Sequence, residues 1–256
     1  MMKRIILWIF NYFEKTEIVL WSCSVLAILA SFFITDRENY LTPAASLIGV
    51  TSLIFNAKGN PFGQVLMIIF SVMYGIISFC FSYYGEMITY LGMTAPMAVV
   101  ALISWLKNPY RGNKAEVRVN RIKKKEHILI WLLALLVTVI FYHILVYFKT
   151  ANIIPSTLSV TTSFLAVYLT FRRSPYYAIG YAANDIVLIV LWILASLENR
   201  AYISVAVCFL TFLANDIYGF LNWRKMGKKG RQKLIQFLKE FNLIKINRHY
   251  AQKTHS

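Results

Sequence analysis

YYAIGYAANDIVLIVLWILAS (residues 176–196) and AYISVAVCFLTFLANDIYGFL (residues 201–221) decide how this chain is read. Each is about twenty mostly apolar residues long, the length that crosses a bilayer as a helix. Each also carries an Asn-Asp pair in its interior, Asn184-Asp185 in the first and Asn215-Asp216 in the second. A carboxylate at bilayer depth is costly, so it faces the bundle interior and marks a substrate or ion path. With Leu197–Arg200 as the turn between two antiparallel helices, the pairs lie at similar distances from it. At about 1.5 Å per residue their depths differ by only ~3–6 Å. The pairs therefore predict one polar layer, suited to a transported solute.

Composition agrees. Of 256 residues, 58% are hydrophobic and 15% charged, which fits a polytopic membrane protein and not a soluble domain. Eight windows qualify as spanning helices or come close: about 17–35, 40–57, 62–83, 88–106, 127–148, 153–171, 176–196 and 201–223. With a cytoplasmic N-terminus, only Arg37, Lys149 and Arg200 of the 27 Lys and Arg fall in the outer joints. The positive-inside rule then places both termini in the cytoplasm of a multi-pass cell-membrane protein. The net charge of +16 follows this sidedness and is not a nucleic-acid footprint. Cys23, Cys80 and Cys208 lie in apolar runs, with no disulfide framework or metal spacing. Residues 1–35 read as a retained segment and not as a signal peptide.

An internal repeat orders these spans. TPAASLIGVTSLIFNAKGNPFG and IPSTLSVTTSFLAVYLTFRRSPYY each carry an early proline (Pro43, Pro155), an apolar helix, and a basic turn closed by a second proline (Pro61, Pro175). Two helices follow in both cases, ending at Trp105-Leu106-Lys107 and Trp223-Arg224-Lys225. The expected organisation is an extra N-terminal helix (1–39), a first triple-helix repeat (40–106) and a basic linker with one inverting helix (107–152). A second repeat (153–223) and a basic tail (224–256) complete it. Odd-numbered repeats joined by one inverting helix are parallel, related by an axis along the membrane normal. The first repeat has no acids to match the pairs: Ser71 and Met97-Ala98 fall at the equivalent positions. That asymmetry favours a functional layer over interhelical hydrogen bonding, the structural alternative at ~0.6–2 kcal/mol.

The segment NPFGQVLMIIFSVMYGIISFCFSYYGEMITYLGMTAPMAVVALISWLKNP, with its Tyr84-Gly85-Glu86 turn and closing Trp105, resembles the first half of the PnuC family of nicotinamide riboside transporters. Residues 173–226, with both Asn-Asp pairs, resemble the second half. The resemblance implies an all-α, SWEET-like three-plus-one-plus-three fold, as a homotrimer. It also implies facilitated diffusion of a vitamin precursor, trapped by a cytoplasmic kinase. Nicotinamide riboside is the expected solute; thiamine or riboflavin, and proton coupling, stay open.

Candidate ligand contacts accompany the pairs. Tyr177, Tyr181 and Asp185 share a stripe at helical spacing. Tyr74, Tyr181, Trp192 and Tyr218 are placed to stack on a flat or cationic ring, with core packing as the plainer reading. Gln64 is a candidate amide contact or a solvated residue at a helix start. Tyr83, Tyr84 and Glu86 form an outer turn, read as a vestibule or as an aromatic girdle with a solvated acid. Pro43, Pro96 and Pro155 are candidate bending points. Leu234, Ile235, Leu238 and Phe241 pattern the tail as an interfacial helix. No HExxH, G-x-S-x-G or phosphate-cradling glycine loop occurs, so neither an enzyme nor a cofactor is expected.

Overall fold

Within lipid, backbone polar groups find partners only inside a helix or a closed barrel, so the apolar segments of this chain fold as helices. The computed structural model describes residues 12–150 and 152–253, with side chains through residue 232. The helices are α1 (Lys15–Thr35), α2 (Leu41–Ala57), α3 (Phe62–Cys80), α4 (Tyr84–Leu106), α5 (Lys124–Tyr147), α6 (Ile153–Phe171), α7 (Tyr177–Ser196) and α8 (Ile203–Lys253). Seven of them are long and apolar enough to cross a membrane, while α2, at 17 residues, is shorter. Two boundaries differ from expectation. α4 starts at Tyr84 and not near residue 88, and α8 runs unbroken through the tail to Lys253 instead of stopping near 223. The stripe from Leu234 to Phe241 lies outside the described side chains. A π-helical turn, Tyr90–Thr94, precedes Pro96 in α4, at the one expected bending point that lies deep in a helix.

Six helices form a ring. α2 packs on α3, α3 on α4, α4 on α6, α6 on α7, α7 on α8, and α8 returns to α2. α5 packs against α6, and α1 lies along α2 and α8. One end of the ring, here called the linker end, carries the α2–α3 and α6–α7 turns and residues 107–123.

The same hydrogen-bond pattern closes both turns at the linker end. The helix α2 gives way to Gly59 at φ +67° and α6 to Arg173 at φ +56°. Beyond them the Asn60 N–H donates to the Phe55 carbonyl and the Ser174 N–H to the Leu169 carbonyl, each at 3.0 Å. Helix ends leave carbonyls without intrahelical donors; here the Gly59 and Arg173 N–H groups reach the Asn56 and Thr170 carbonyls at 2.9 Å, and two tryptophans add a second donor to each crosswise. Trp223 Nε1 donates to the Asn56 carbonyl at 2.8 Å, and Trp105 Nε1 to the Thr170 carbonyl at 2.9 Å. The two indoles meet with centroids 5.3 Å apart.

The basic linker is not a plain tether. β1 (Pro109–Tyr110) and β2 (Asn113–Val117) form a hairpin around Arg111-Gly112, both at positive φ as a two-residue turn requires. Val117 N–H donates to the Gly59 carbonyl and Asn120 N–H to the Arg173 carbonyl, both at 2.9 Å, so the linker ties the two turns together. Val117 is buried against Trp105, Tyr177 and Trp223.

α1 is held at the same end. The buried Glu17 carboxylate accepts from Lys58 Nζ at 3.0 Å and from Tyr218 Oη at 3.0 Å. α6 and α7 approach so closely that a Cβ on Gly180 would lie 2.8 Å from Ala166 Cα and 3.0 Å from Ala166 N. Because backbone cannot yield there, Gly180→Ala is expected to destabilise the protein by about 1–3 kcal/mol. The readout is a lower Tm in detergent. Gly92→Ala, whose Cβ meets nothing nearer than 3.9 Å, is expected to leave Tm unchanged.

Candidate functional site

Asn184 and Asp185 on α7 and Asn215 and Asp216 on α8 are all buried, at 1–3% exposure. The Asp185 and Asp216 carboxyls face each other within hydrogen-bonding reach, so the expected polar layer forms. An ionised carboxylate only accepts hydrogen bonds, so a bond between two carboxyls requires a proton on one of them.

The asparagines are partly engaged in holding helices together. Asn184 Oδ1 accepts from Thr162 Oγ1 at 2.9 Å and Ser163 Oγ at 3.0 Å, joining α7 to α6. Asn215 Nδ2 donates to Ser24 Oγ on α1 at 3.0 Å and to the Thr211 carbonyl at 2.8 Å. Both readings of the pairs therefore have a basis: the amides link helices, and the acids meet in the interior.

Aromatic side chains flank the acids on two sides. Toward the linker end, Tyr177 packs on Trp223 with centroids 4.8 Å apart and on Tyr181 at 6.2 Å. Tyr181 lies within electrostatic reach of both acids, its hydroxyl bonded to Thr170. Away from the linker end, Trp192 Nε1 donates to Tyr74 Oη at 2.6 Å, linking α7 to α3. Tyr74 contacts Tyr90 at 4.4 Å, Phe209 at 5.4 Å and Phe70 at 5.6 Å. Trp192 continues the wall to Tyr83 at 4.7 Å. Burial, with the Glu198 carboxylate second, pushes the Tyr83 phenol up to about 12, so it is neutral at physiological pH.

Two candidate contacts sit elsewhere than the sequence suggested. The hydroxyl of Tyr218 turns to Glu17 and α1, away from a stacking position beside the acids. Gln64 is not solvated: it is buried, and its Nε2 donates to Asn56 Oδ1 at 2.8 Å.

Glu86 is the principal correction. It is neither a vestibule acid nor a solvated one, being 1% exposed, with Oε1 accepting from Ser159 Oγ on α6 at 2.6 Å. Starting α4 at Tyr84 places Glu86 in its first turn, facing inward. Gly85 permits this, since a Cβ there would meet Leu145 at 2.7 Å and Thr150 at 2.9 Å. Tyr90, which the sequence reading passed over, lies within electrostatic reach of both Glu86 and Asp185. The acid within a Tyr-Gly-acid start was the available signal.

Within the helices six buried side-chain atoms have no hydrogen-bond partner among the described residues: the hydroxyls of Thr42 and Ser78, and four carbonyl or carboxyl oxygens, Gln64 Oε1, Glu86 Oε2, Asp185 Oδ2 and Asn215 Oδ1. These last four are acceptors, and no lysine or arginine is among the buried described residues. A buried acceptor left unpaired is costly, so the complementary ligand brings donors or positive charge. Among the described residues, no three His, Cys, Asp or Glu converge as metal ligands.

A family model described as nicotinamide mononucleotide transporter matches residues 39–225. The chain belongs to this family. The matched range starts just before α2 and ends just after Trp223, leaving α1 outside, as the repeat analysis does. The nicotinamide riboside transporter PnuC of Neisseria mucosa is 25% identical over 214 residues, covering 82% of this chain and 81% of the relative. The crystal structure of the vitamin B3 transporter PnuC shares the fold, with a TM-score of 0.75 at 22% identity over 85% of this chain and 94% of that one. The chain is thus a PnuC-family multi-pass membrane protein, and its relatives are transporters, not enzymes.

Because a carboxamide matches a carboxyl in size, can still hydrogen-bond across the pair and removes a buried charge, Asp185→Asn and Asp216→Asn are expected to keep stability within about 1 kcal/mol of the parent or above it. Thermal unfolding in detergent is the check.

Proposed function

We propose that this protein imports nicotinamide riboside. The observation that carries the reading is the facing Asp185–Asp216 pair in the bundle interior, with no buried lysine or arginine among the described residues to neutralise it. A pyridinium ribonucleoside supplies its complement, with a positive ring beside the carboxyls and ribose hydroxyls and a carboxamide as donors. Tyr74, Tyr90, Tyr181 and Trp192 offer ring faces to the cation. Asn184, Asn215 and Tyr177 neighbour the acids, whereas Gln64, bonded to Asn56 near the α2–α3 turn, has no part in this reading.

The chemistry also separates the riboside from its phosphate ester. A phosphomonoester would face Glu86, Asp185 and Asp216 with no buried cation to receive it, so the mononucleotide is disfavoured. Thiamine is cationic as well and is the second reading. Riboflavin, which is neutral, gains nothing from the acids.

In this reading two triple-helix units, α2–α4 and α6–α8, rock about the acid layer in a SWEET-like three-plus-one-plus-three arrangement, with α5 as the inverting helix. The crosswise Trp105 and Trp223 bonds support a pseudo-two-fold relation. All eight helices cross the membrane, and the basic linker end faces the cytoplasm, as do both termini. Transport is facilitated diffusion, a cytoplasmic kinase traps the solute, and the assembly is a homotrimer. These last three points rest on family resemblance.

Calorimetry on the detergent-purified protein with nicotinamide riboside, its mononucleotide, thiamine and riboflavin is the direct test. Saturable binding of the riboside with weak or no binding of the mononucleotide is expected; the reverse order would refute the site chemistry. In cells, Asp185→Asn and Asp216→Asn are expected to lower riboside uptake roughly tenfold or more, ~1.4 kcal/mol at least. Parental uptake in both variants would remove the acid layer from the mechanism. Uptake should also persist with an uncoupler present; if it collapses, the shared proton is part of a coupled cycle.

A further inference from the structure

The linker end holds a cavity of about 590 Å³ between the β1–β2 hairpin and the turns of α8 just past Trp223, separate from the acid layer. Four guanidinium side chains from different segments line it: Arg111 at the hairpin tip, Arg118 and Arg121 after β2, and Arg231 on α8. Glu116 is the one carboxylate in the lining. The ion pairs among the described residues are Lys58–Glu17 and Arg172–Glu126, so none of the four arginines is neutralised by a carboxylate. Behind them lies Arg173, whose Nε and Nη1 are buried without a hydrogen-bond partner. Burial, and then the charges of Arg118 and Arg172, push its pKa down. Positive charge is concentrated here beyond what the fold neutralises.

Three further features belong to the cavity. The Tyr110 hydroxyl on its wall is buried and has no hydrogen-bond partner. Arg111 adopts φ +52°, a conformation in which such a hairpin ordinarily places glycine, asparagine or aspartate. Gly227 and Gly230 stand inside α8, where glycine weakens a helix, yet close packing does not demand them. Cβ atoms there would meet nothing nearer than 3.5 Å and 3.8 Å. Both glycines face the cavity, and the missing side chains keep it open.

We propose that this cleft is a binding site for a phosphate-bearing anion. Guanidinium forks match phosphate oxygens in pairs, the Tyr110 hydroxyl adds a donor, and Val117 and Met226 give the site an apolar floor. The same chemistry fits a phospholipid headgroup and a soluble phosphate ester, and the probes below separate them.

The full-length protein in neutral phosphatidylcholine nanodiscs is titrated with inorganic pyrophosphate by calorimetry. In parallel, retention of phosphatidylglycerol is followed by native mass spectrometry. At least one probe should bind saturably, pyrophosphate pointing to a soluble ester and the lipid alone to a headgroup. Arg118→Gln/Arg231→Gln should weaken that binding tenfold or more. Lys107→Gln/Lys114→Gln removes the same charge outside the cavity and should change it less than twofold. Gly230→Leu fills the cleft with all charges kept, and should also reduce binding tenfold. It decides the matter if the arginine variant does not fold. Absence of saturable binding by either probe, equal loss in the arginine and lysine variants, or full binding by Gly230→Leu each overturns the proposal.

Discussion

Asp185 and Asp216 face each other inside a ring of helices whose outer surface is built for lipid, and the surrounding packing is arranged around that contact. A carboxyl group in such a place must share a proton, find donors or meet a cation. The nearby donors are engaged elsewhere. The hydroxyls of Thr162 and Ser163 serve Asn184, the Trp192 N–H serves Tyr74, and Ser159 takes one oxygen of Glu86. What remains unpaired inside the bundle is mostly acceptor capacity, beside the hydroxyls of Thr42 and Ser78.

The frame around this contact is repeated, but its chemistry is not. Trp105 and Trp223 each close the end of the opposite unit's first helix, and the turns at Gly59 and Arg173 use matching backbone bonds. Yet where α7 and α8 carry aspartates, α3 and α4 carry Ser71, bonded to its own helix, and buried Ala98. Glu86, reaching in from α4 on the other side of the ring, supplies the first unit's acid at a different level.

Charge is separated along the molecule as well. Within the ring the unpaired ionisable groups are carboxyls, whereas at the linker end they are guanidiniums clustered beneath the hairpin. Guanidinium groups tolerate an aqueous interface and not a bilayer interior. The basic segments therefore lie beyond the helix ends, and there the hairpin joins the turns of the two units. A group bound in that cleft would sit close to the contacts that tie α2–α3 to α6–α7.

The sequence by itself determined the helices, their approximate limits, the repeat and the layer of Asn-Asp pairs. Each of these depends on local length, hydropathy and spacing, which the chain carries in linear order. It also indicated the Trp105 and Trp223 ends, although not that their indoles exchange partners. Tertiary structure decided which polar groups are satisfied and which are left over. Tyr218 turns to Glu17 on α1, 201 positions away, and Asn215 reaches Ser24 across 191. Glu86 looked like a surface acid until an earlier helix start and contact with Ser159 buried it. Partners that far apart along the chain leave no periodic trace, because hydrogen-bond satisfaction is a property of the packed bundle and not of any one helix.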